Sequence, residues 1–235
     1  MGGPTRYKDQ VSVDEGQSEN WQSTVTPDPD SKQASEQLAD QLRRIINRLA
    51  VVRPPADELR RAAETAEGFA DHLDELVERA KSWEISEAGL LPRDFVAYSP
   101  LSGGSNPIAP PITMQVVDTG DGSPHIEGSA RFGPAYEGPP SHVHGGFVAA
   151  MFDELLGYAQ LGPGFTAYLH VDYRKPTPLN RELTLWAAPD RIEGRKRWIR
   201  GTCTLDGVLL SEAEGLFVAP RTGDDYKKIL GLPDD

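Results

Sequence analysis

The sequence predicts an α+β fold in which one long apolar helix lies against antiparallel strands, behind a pair of amphipathic helices. Three observations carry this. A 17-residue segment from Gly146 to Gly162 is apolar nearly throughout and too long for a strand. It interrupts a series of short β-type runs punctuated by Gly and Pro. Ahead of these, from about residue 31, apolar residues recur at spacings of three and four.

Taken in order, residues 1–30 are polar, with scarcely any aliphatic periodicity, and read as a disordered tail. Residues 31–90 read as a helical hairpin. Its first helix carries Leu38, Leu42, Ile45, Ile46 and Leu49 and is stopped by Pro54-Pro55. The second starts near Pro55, used as a first-turn proline, and carries Leu59, Ala62, Ala63, Ala66, Phe69, Leu73, Leu76, Val77 and Ala80 along one stripe. Each stripe requires a partner surface: the other helix, the following domain or a second subunit. A DNA-reading helix pair is disfavoured, because acidic residues in this hairpin are as numerous as basic ones. Residues 91–222 form the main domain, with strands expected at 112–117, 126–132, 167–173, 183–188, 198–205 and 208–218. Asp206-Gly207 between the last two is a type I′ hairpin signal, so those strands pair antiparallel. Residues 223–235 are left as a C-terminal tail.

A formal net charge of −12 and a pI near 4.9 argue against nucleic-acid binding, which needs a concentrated basic face. No stretch approaches the roughly 18 apolar residues of a membrane span. The N-terminus Met1-Gly-Gly-Pro-Thr-Arg-Tyr-Lys lacks the apolar core of a signal peptide, and Arg6 stands where a myristoylation motif needs Ser or Thr. A cytoplasmic location is therefore expected. Cys203 is the one cysteine, which excludes an internal disulfide and any multi-cysteine zinc site, and it reads as a small core residue. His142 and His144 form a conceivable metal pair with no third ligand at typical spacing, so no metal is expected. Phosphate-binding glycine loops and nucleophile elbows are absent, and no cofactor is expected.

Chemistry concentrates around His144-Gly145-Gly146. The preceding Gly138-Pro139-Pro140-Ser141-His142-Val143 cannot be helical, so a helix must begin at about Gly145 or Gly146 with several backbone N–H groups unpartnered. Those donors, at the positive end of the helix dipole, suit an oxyanion. Nine residues after His144 comes Asp153, which with Glu154 makes the only charge between Gly145 and Leu161. Burying an ionised carboxylate is costly unless it is paired, hydrogen-bonded or employed. A polarising N-terminus and a carboxylate on one helix are two halves of an acyl-transfer site.

Glu137-Gly-Pro-Pro-Ser-His-Val-His-Gly-Gly146 with Asp153 resembles the signature of the hotdog-fold acyl-CoA thioesterases, the PaaI and THEM4-like branch in particular. Asn106-Pro107 is similar to an element on the family's first core strand, and 166–178 to the strand that follows its central helix. The likeness covers roughly residues 95–220. It implies a long central helix wrapped by an antiparallel sheet, hydrolysis of acyl-CoA thioesters, and a homodimer or homotetramer whose sites are shared between subunits.

Carried over residue by residue, the resemblance makes Asp153 either general base on a water or direct nucleophile. Gly145 would supply the N–H aimed at the thioester oxygen, beside Gly146, while His144 orients the loop or holds substrate. Thr166 would help position the attacking water. Asn106 could contact the thioester, although an Asn before Pro is equally at home in a turn. His142 is a loop histidine beside the substrate. Arg174 and Lys175, with Arg195-Lys196-Arg197 at a turn, are the basic groups available to the phosphates of coenzyme A. Of the adjacent acids Asp153 is preferred for its spacing, and Glu154 is expected to serve the subunit interface. Family members often carry an amide side chain six residues before the histidine, where this chain has Gly138. That departure favours the alternative of a non-catalytic acyl-CoA-binding or regulatory protein. The first 90 residues hold no candidate catalytic group and are expected to be dispensable for the chemical step.

Overall fold

The computed structural model describes residues 29–80 and 97–221, apart from 119, 121, 122, 161 and 163 and the side chains of 77–80. The tail read as disordered, up to residue 28, and the C-terminal tail lie outside the described residues.

Two helices come first, α1 (Pro29–Val51) and α2 (Ala56–Ala80). Then follow β1 (Ile112–Val117), β2 (His125–Ala130), a 3-10 turn (Pro134–Tyr136), α3 (Gly145–Ala159), β3 (Phe165–Tyr173), β4 (Leu183–Glu193), β5 (Lys196–Leu205) and β6 (Val208–Val218). The strands form one antiparallel sheet in the order β1-β2-β4-β5-β6-β3. α3 lies across one face, and this is the hotdog arrangement. Its Val148, Met151, Phe152, Leu155, Leu156 and Ala159 are buried against Ile126, Leu185, Ile199 and Phe217.

The helix sits close because β5 and β6 present glycine beneath it. A Cβ on Gly201 would lie 2.8 Å from Leu156 Cδ2 and 3.0 Å from the Trp186 carbonyl, and one on Gly215 3.2 Å from Leu156 Cδ1. Gly201→Val is therefore expected to destabilise the fold by about 1–3 kcal/mol through overpacking. A denaturation midpoint unchanged from wild type would contradict this.

Strand β4 runs to Glu193, five residues beyond the expected end at 188. A bulge between Pro189 and Arg191 absorbs the proline, which cannot donate to the ladder. Only Arg195 of the basic trio sits in the turn, beside Gly194 (φ 57°), while Lys196 and Arg197 open β5. The β5–β6 connection has the predicted chemistry: Asp206 and Gly207 both take positive φ, 49° and 77°, and Leu205 pairs with Val208. Cys203 is fully buried.

The helical pair departs from expectation in how it packs. α1 docks through Ala39 and the polar Arg43, both buried, while Leu38, Ile45 and Leu49 of the expected core stripe are exposed. Among the described side chains of α2 none is fully buried: Leu59 and Phe69 are exposed and Leu73 and Leu76 half-buried, and no extended packing joins its described residues to α1. Periodicity locates such stripes but cannot say which face meets the domain, and here hydrogen-bonding partners decided it.

Candidate active site

The loop before α3 is held from both sides. Glu137 bridges Val143, while the Val143 N–H donates to Thr177 O at 2.8 Å and the Leu179 N–H to Ser141 O at 3.0 Å. The Arg-Lys-Pro end of β3 thus returns to brace the histidine loop. His144 is the N-cap of α3: its backbone is extended (φ −62°, ψ 131°) and its Nδ1 accepts the Gly146 N–H at 3.0 Å. An accepting Nδ1 leaves the proton on Nε2. The Phe147 N–H is also satisfied, by His144 O at 2.9 Å. Among the described residues, Gly145 is left as the first-turn donor without an acceptor.

Gly138 is explained by the same loop. A Cβ there would lie 2.7 Å from His144 Cα, so an amide side chain cannot occupy this position while His144 caps the helix.

Asp153 lies two turns along α3, half-buried, and its Oδ1 accepts the Thr166 hydroxyl at 2.9 Å. Thr166 stands near the start of β3, which among the described residues is an edge strand paired with β6 alone. Sequence and structure agree in bringing these two side chains together. At the far end of β3 the Tyr173 hydroxyl donates to Gly145 O at 2.9 Å, and its ring lies 3.6 Å from where a Cβ on Gly145 would stand. Tyr173 was not singled out from the sequence, where nothing distinguishes it from other strand aromatics.

Glu154, which the sequence reading expected at a subunit interface, is engaged within the chain. Its Oε1 accepts Ser99 Oγ at 2.8 Å and also Ser102 Oγ, so it ties the 97–109 loop to α3. The 100° between neighbouring helix positions sends the two acids to different tasks. Asn106 is engaged in a turn: its amide donates to Tyr98 O at 2.9 Å and its Oδ1 accepts the Ile108 N–H at 3.1 Å. His142 Nδ1 lies 2.8 Å from Pro140 O, to which it donates. Arg174 is drawn into ion pairs with Glu212 (2.7 Å) and Asp172 (3.1 Å), whereas Lys175 is exposed beside it. No cluster of metal-ligating side chains occurs among the described residues, and no described helix is long and apolar enough to cross a membrane.

One distance governs what this arrangement does alone. Gly145 and Asp153 are eight residues apart on one helix, about 12 Å along its axis. A donor within about 3 Å of an oxyanion and a base serving the same carbon cannot be that far apart.

No family model matches the chain. Acyl-coenzyme A thioesterase THEM4 of Bos taurus is 37% identical over 90 residues, 37% of this chain and 37% of that protein. The Xenopus laevis protein of the same name is 38% identical over 93 residues, 37% of this chain and 41% of its own. The chain thus matches well under half the length of these relatives. A solved structure described as a thioesterase superfamily protein superposes with a TM-score of 0.68 at 28% identity, covering 84% of this chain and 94% of its own. That share is too large for residues 97–221 alone, so the match extends into the N-terminal helices.

Proposed function

From a chain that belongs to the hotdog-fold thioesterase superfamily, we propose hydrolysis of acyl-CoA thioesters to free acid and coenzyme A, catalysed by Asp153 in sites shared between two copies. The observation that carries this is the half-buried Asp153 carboxylate, held by Thr166 on the apolar helix whose N-terminus leaves the Gly145 N–H free. With Oδ1 occupied by the Thr166 proton, Oδ2 faces the substrate. The hydroxyl oxygen of Thr166 keeps lone pairs that accept from a water. That water attacks the thioester carbon and its proton passes to Asp153, while the Gly145 amide meets the developing oxyanion. Collapse breaks the C–S bond. The thiolate leaves without an acid, being a stable anion, and then takes up the proton. Attack by Asp153 itself, through a mixed anhydride, uses the same geometry.

The 12 Å separation along α3 is resolved by a second copy. β3 is an open edge carrying exposed Phe165, Tyr168 and Tyr173, and an uncovered edge of this kind invites pairing. Antiparallel pairing of two β3 strands about a two-fold between Leu169 and His170 sets Thr166 of one copy opposite Tyr173 of the other. Asp153 belongs to the Thr166 end and Gly145 to the Tyr173 end. Each two-fold therefore assembles two sites from both copies.

A panel of acyl-CoA esters followed by thiol release, with light scattering on the same sample, tests both parts. Turnover of at least one ester and a mass of at least two 25.7 kDa chains are expected. Binding of acyl-CoA without turnover would establish the non-catalytic alternative, which Gly138 favours by denying the site a side-chain amide. A fully active monomer would overturn the shared site.

A further inference from the structure

The N-terminal helix reaches the acid helix through one buried cation. Arg43 of α1 has a side chain only 10% exposed. Its Nε donates to Ala109 O at 2.8 Å, and its Nη2 to Asn106 O at 2.9 Å and Gly104 O at 3.4 Å. Nη1 pairs with Asp40, whose own side chain is 69% exposed. A planar guanidinium with five donors is suited to gathering several carbonyls of one loop, which a lysine ammonium cannot match in geometry. Four residues on, Asn47 Oδ1 accepts the Ala135 N–H at 3.2 Å, and a Cβ on Gly133 would lie 2.1 Å from that oxygen.

The clamped loop reaches α3 by two routes, one relayed through Tyr136 of the 3-10 turn and one direct. Between the carbonyls held by Arg43, Ile108 O accepts the Tyr136 hydroxyl at 3.0 Å. The Tyr136 carbonyl in turn accepts the His144 N–H at 2.9 Å, and its ring packs edge-on against Phe147 at 5.0 Å. On the other arm Ser99 and Ser102 hold Glu154, the residue after Asp153. The loop is braced internally by Ser105 N–H to Ala97 O and Gly103 N–H to Ser99 O, each 3.0 Å. Both the N-cap and the azimuth of the acid therefore depend on where this loop sits.

We propose that Arg43 is a positioning residue of the thioesterase site, fixing the 97–109 loop so that His144 caps α3 and Asp153 faces the substrate; this rests on the function proposed above. α1 is then part of the active-site frame, against the expectation that the first 90 residues are dispensable for chemistry. Removing the cation leaves the buried Ala109 carbonyl unpaired and frees the loop to shift, and displacements of about an ångström at a reacting centre cost up to roughly a hundredfold in rate.

The test uses the full chain with Arg43→Met, Arg43→Lys and, as a control on an exposed ion pair of α2, Arg61→Met. For an ester the wild type accepts, Arg43→Met is expected to lower kcat by roughly ten- to a hundredfold with KM within about threefold. Exchange of the Gly146 amide proton, which the His144 cap protects, should accelerate at least about tenfold while amides in β4 and β5 stay as in wild type. Arg43→Lys should fall between, and Arg61→Met should match wild type in both readouts. Should Arg43→Met fail to fold, Arg43→Lys carries the test, since it keeps the charge and loses the fork. Wild-type kcat and wild-type Gly146 exchange in the folded Arg43 variants overturn the proposal, even if their melting temperatures fall. A wild-type protein that hydrolyses no ester removes the proposed function instead, and the positioning of the cap then stands or falls on Gly146 exchange alone.

Discussion

Asp153→Asn is expected to lower the turnover of every accepted acyl-CoA by at least about a hundredfold, with folding and assembly intact. The substitution is nearly isosteric, and an amide oxygen still accepts the Thr166 hydroxyl that Asp153 Oδ1 accepts at 2.9 Å. Structure is therefore conserved while basicity and nucleophilicity are lost. Glu154→Gln makes the informative comparison: its carbonyl oxygen can still accept from Ser99 and Ser102, so kcat should fall less than about fivefold. Steady-state kinetics on both variants decide the matter. Activity of Asp153→Asn within a few-fold of wild type would remove this residue from the mechanism, and a reversed ranking would hand the acid to Glu154.

Replacing Gly145 by proline should cost about a hundred- to a thousandfold in kcat, the usual scale for losing one oxyanion donor. The exchange is unusually clean. Proline is tolerated at the first position of a helix, where the missing N–H has no helical acceptor in any case. The residue before proline must be extended, and His144 already is, at φ −62° and ψ 131°. Gly145→Ala is the control, because a Cβ there meets the Tyr173 ring at an ordinary 3.6 Å and the N–H survives. Equal rates for the proline and alanine variants would show that this amide does not meet the reacting oxygen. Mixing Gly145→Pro with Asp153→Asn protein under subunit exchange should restore part of the activity, since some pairs then hold one intact amide and one intact acid.

Much of the sheet was legible because its signals are local. β1 and β6 keep the expected bounds, and Asp206-Gly207 demands positive φ at both positions, which few other dipeptides accept. Pro189 directly follows the expected end of β4 at 188, and only pairing with β5 shows that a bulge carries the strand past it. Around the candidate site, the start of α3 follows from the non-helical segment 138–143 before it, whereas the Asp153–Thr166 pair is what the family resemblance implies. Tyr173, Tyr136 and Arg43 were not legible. Each acts through hydrogen bonds to main-chain carbonyls far away in sequence, and a carbonyl acceptor leaves no mark on residue type. Arg43 in particular resembles any solvated cation on an amphipathic helix until the 97–109 loop folds over it.

The lone thiol of Cys203 offers a clock for the opening of this fold. It sits on β5, between β4 and β6, with 0% of its surface exposed, and burial pushes its ionisation up to about 11, partly offset by Ser211. A disulfide reagent in neutral buffer meets neither a thiolate nor a path to the sulfur while those three strands are joined. Modification then has to wait for the middle of the sheet to part, an event near global unfolding. At saturating reagent the labelling rate equals the frequency of that event, and at low reagent it gives the fraction of molecules open. The same silence means that in a thiol-detecting assay the native protein adds no background of its own.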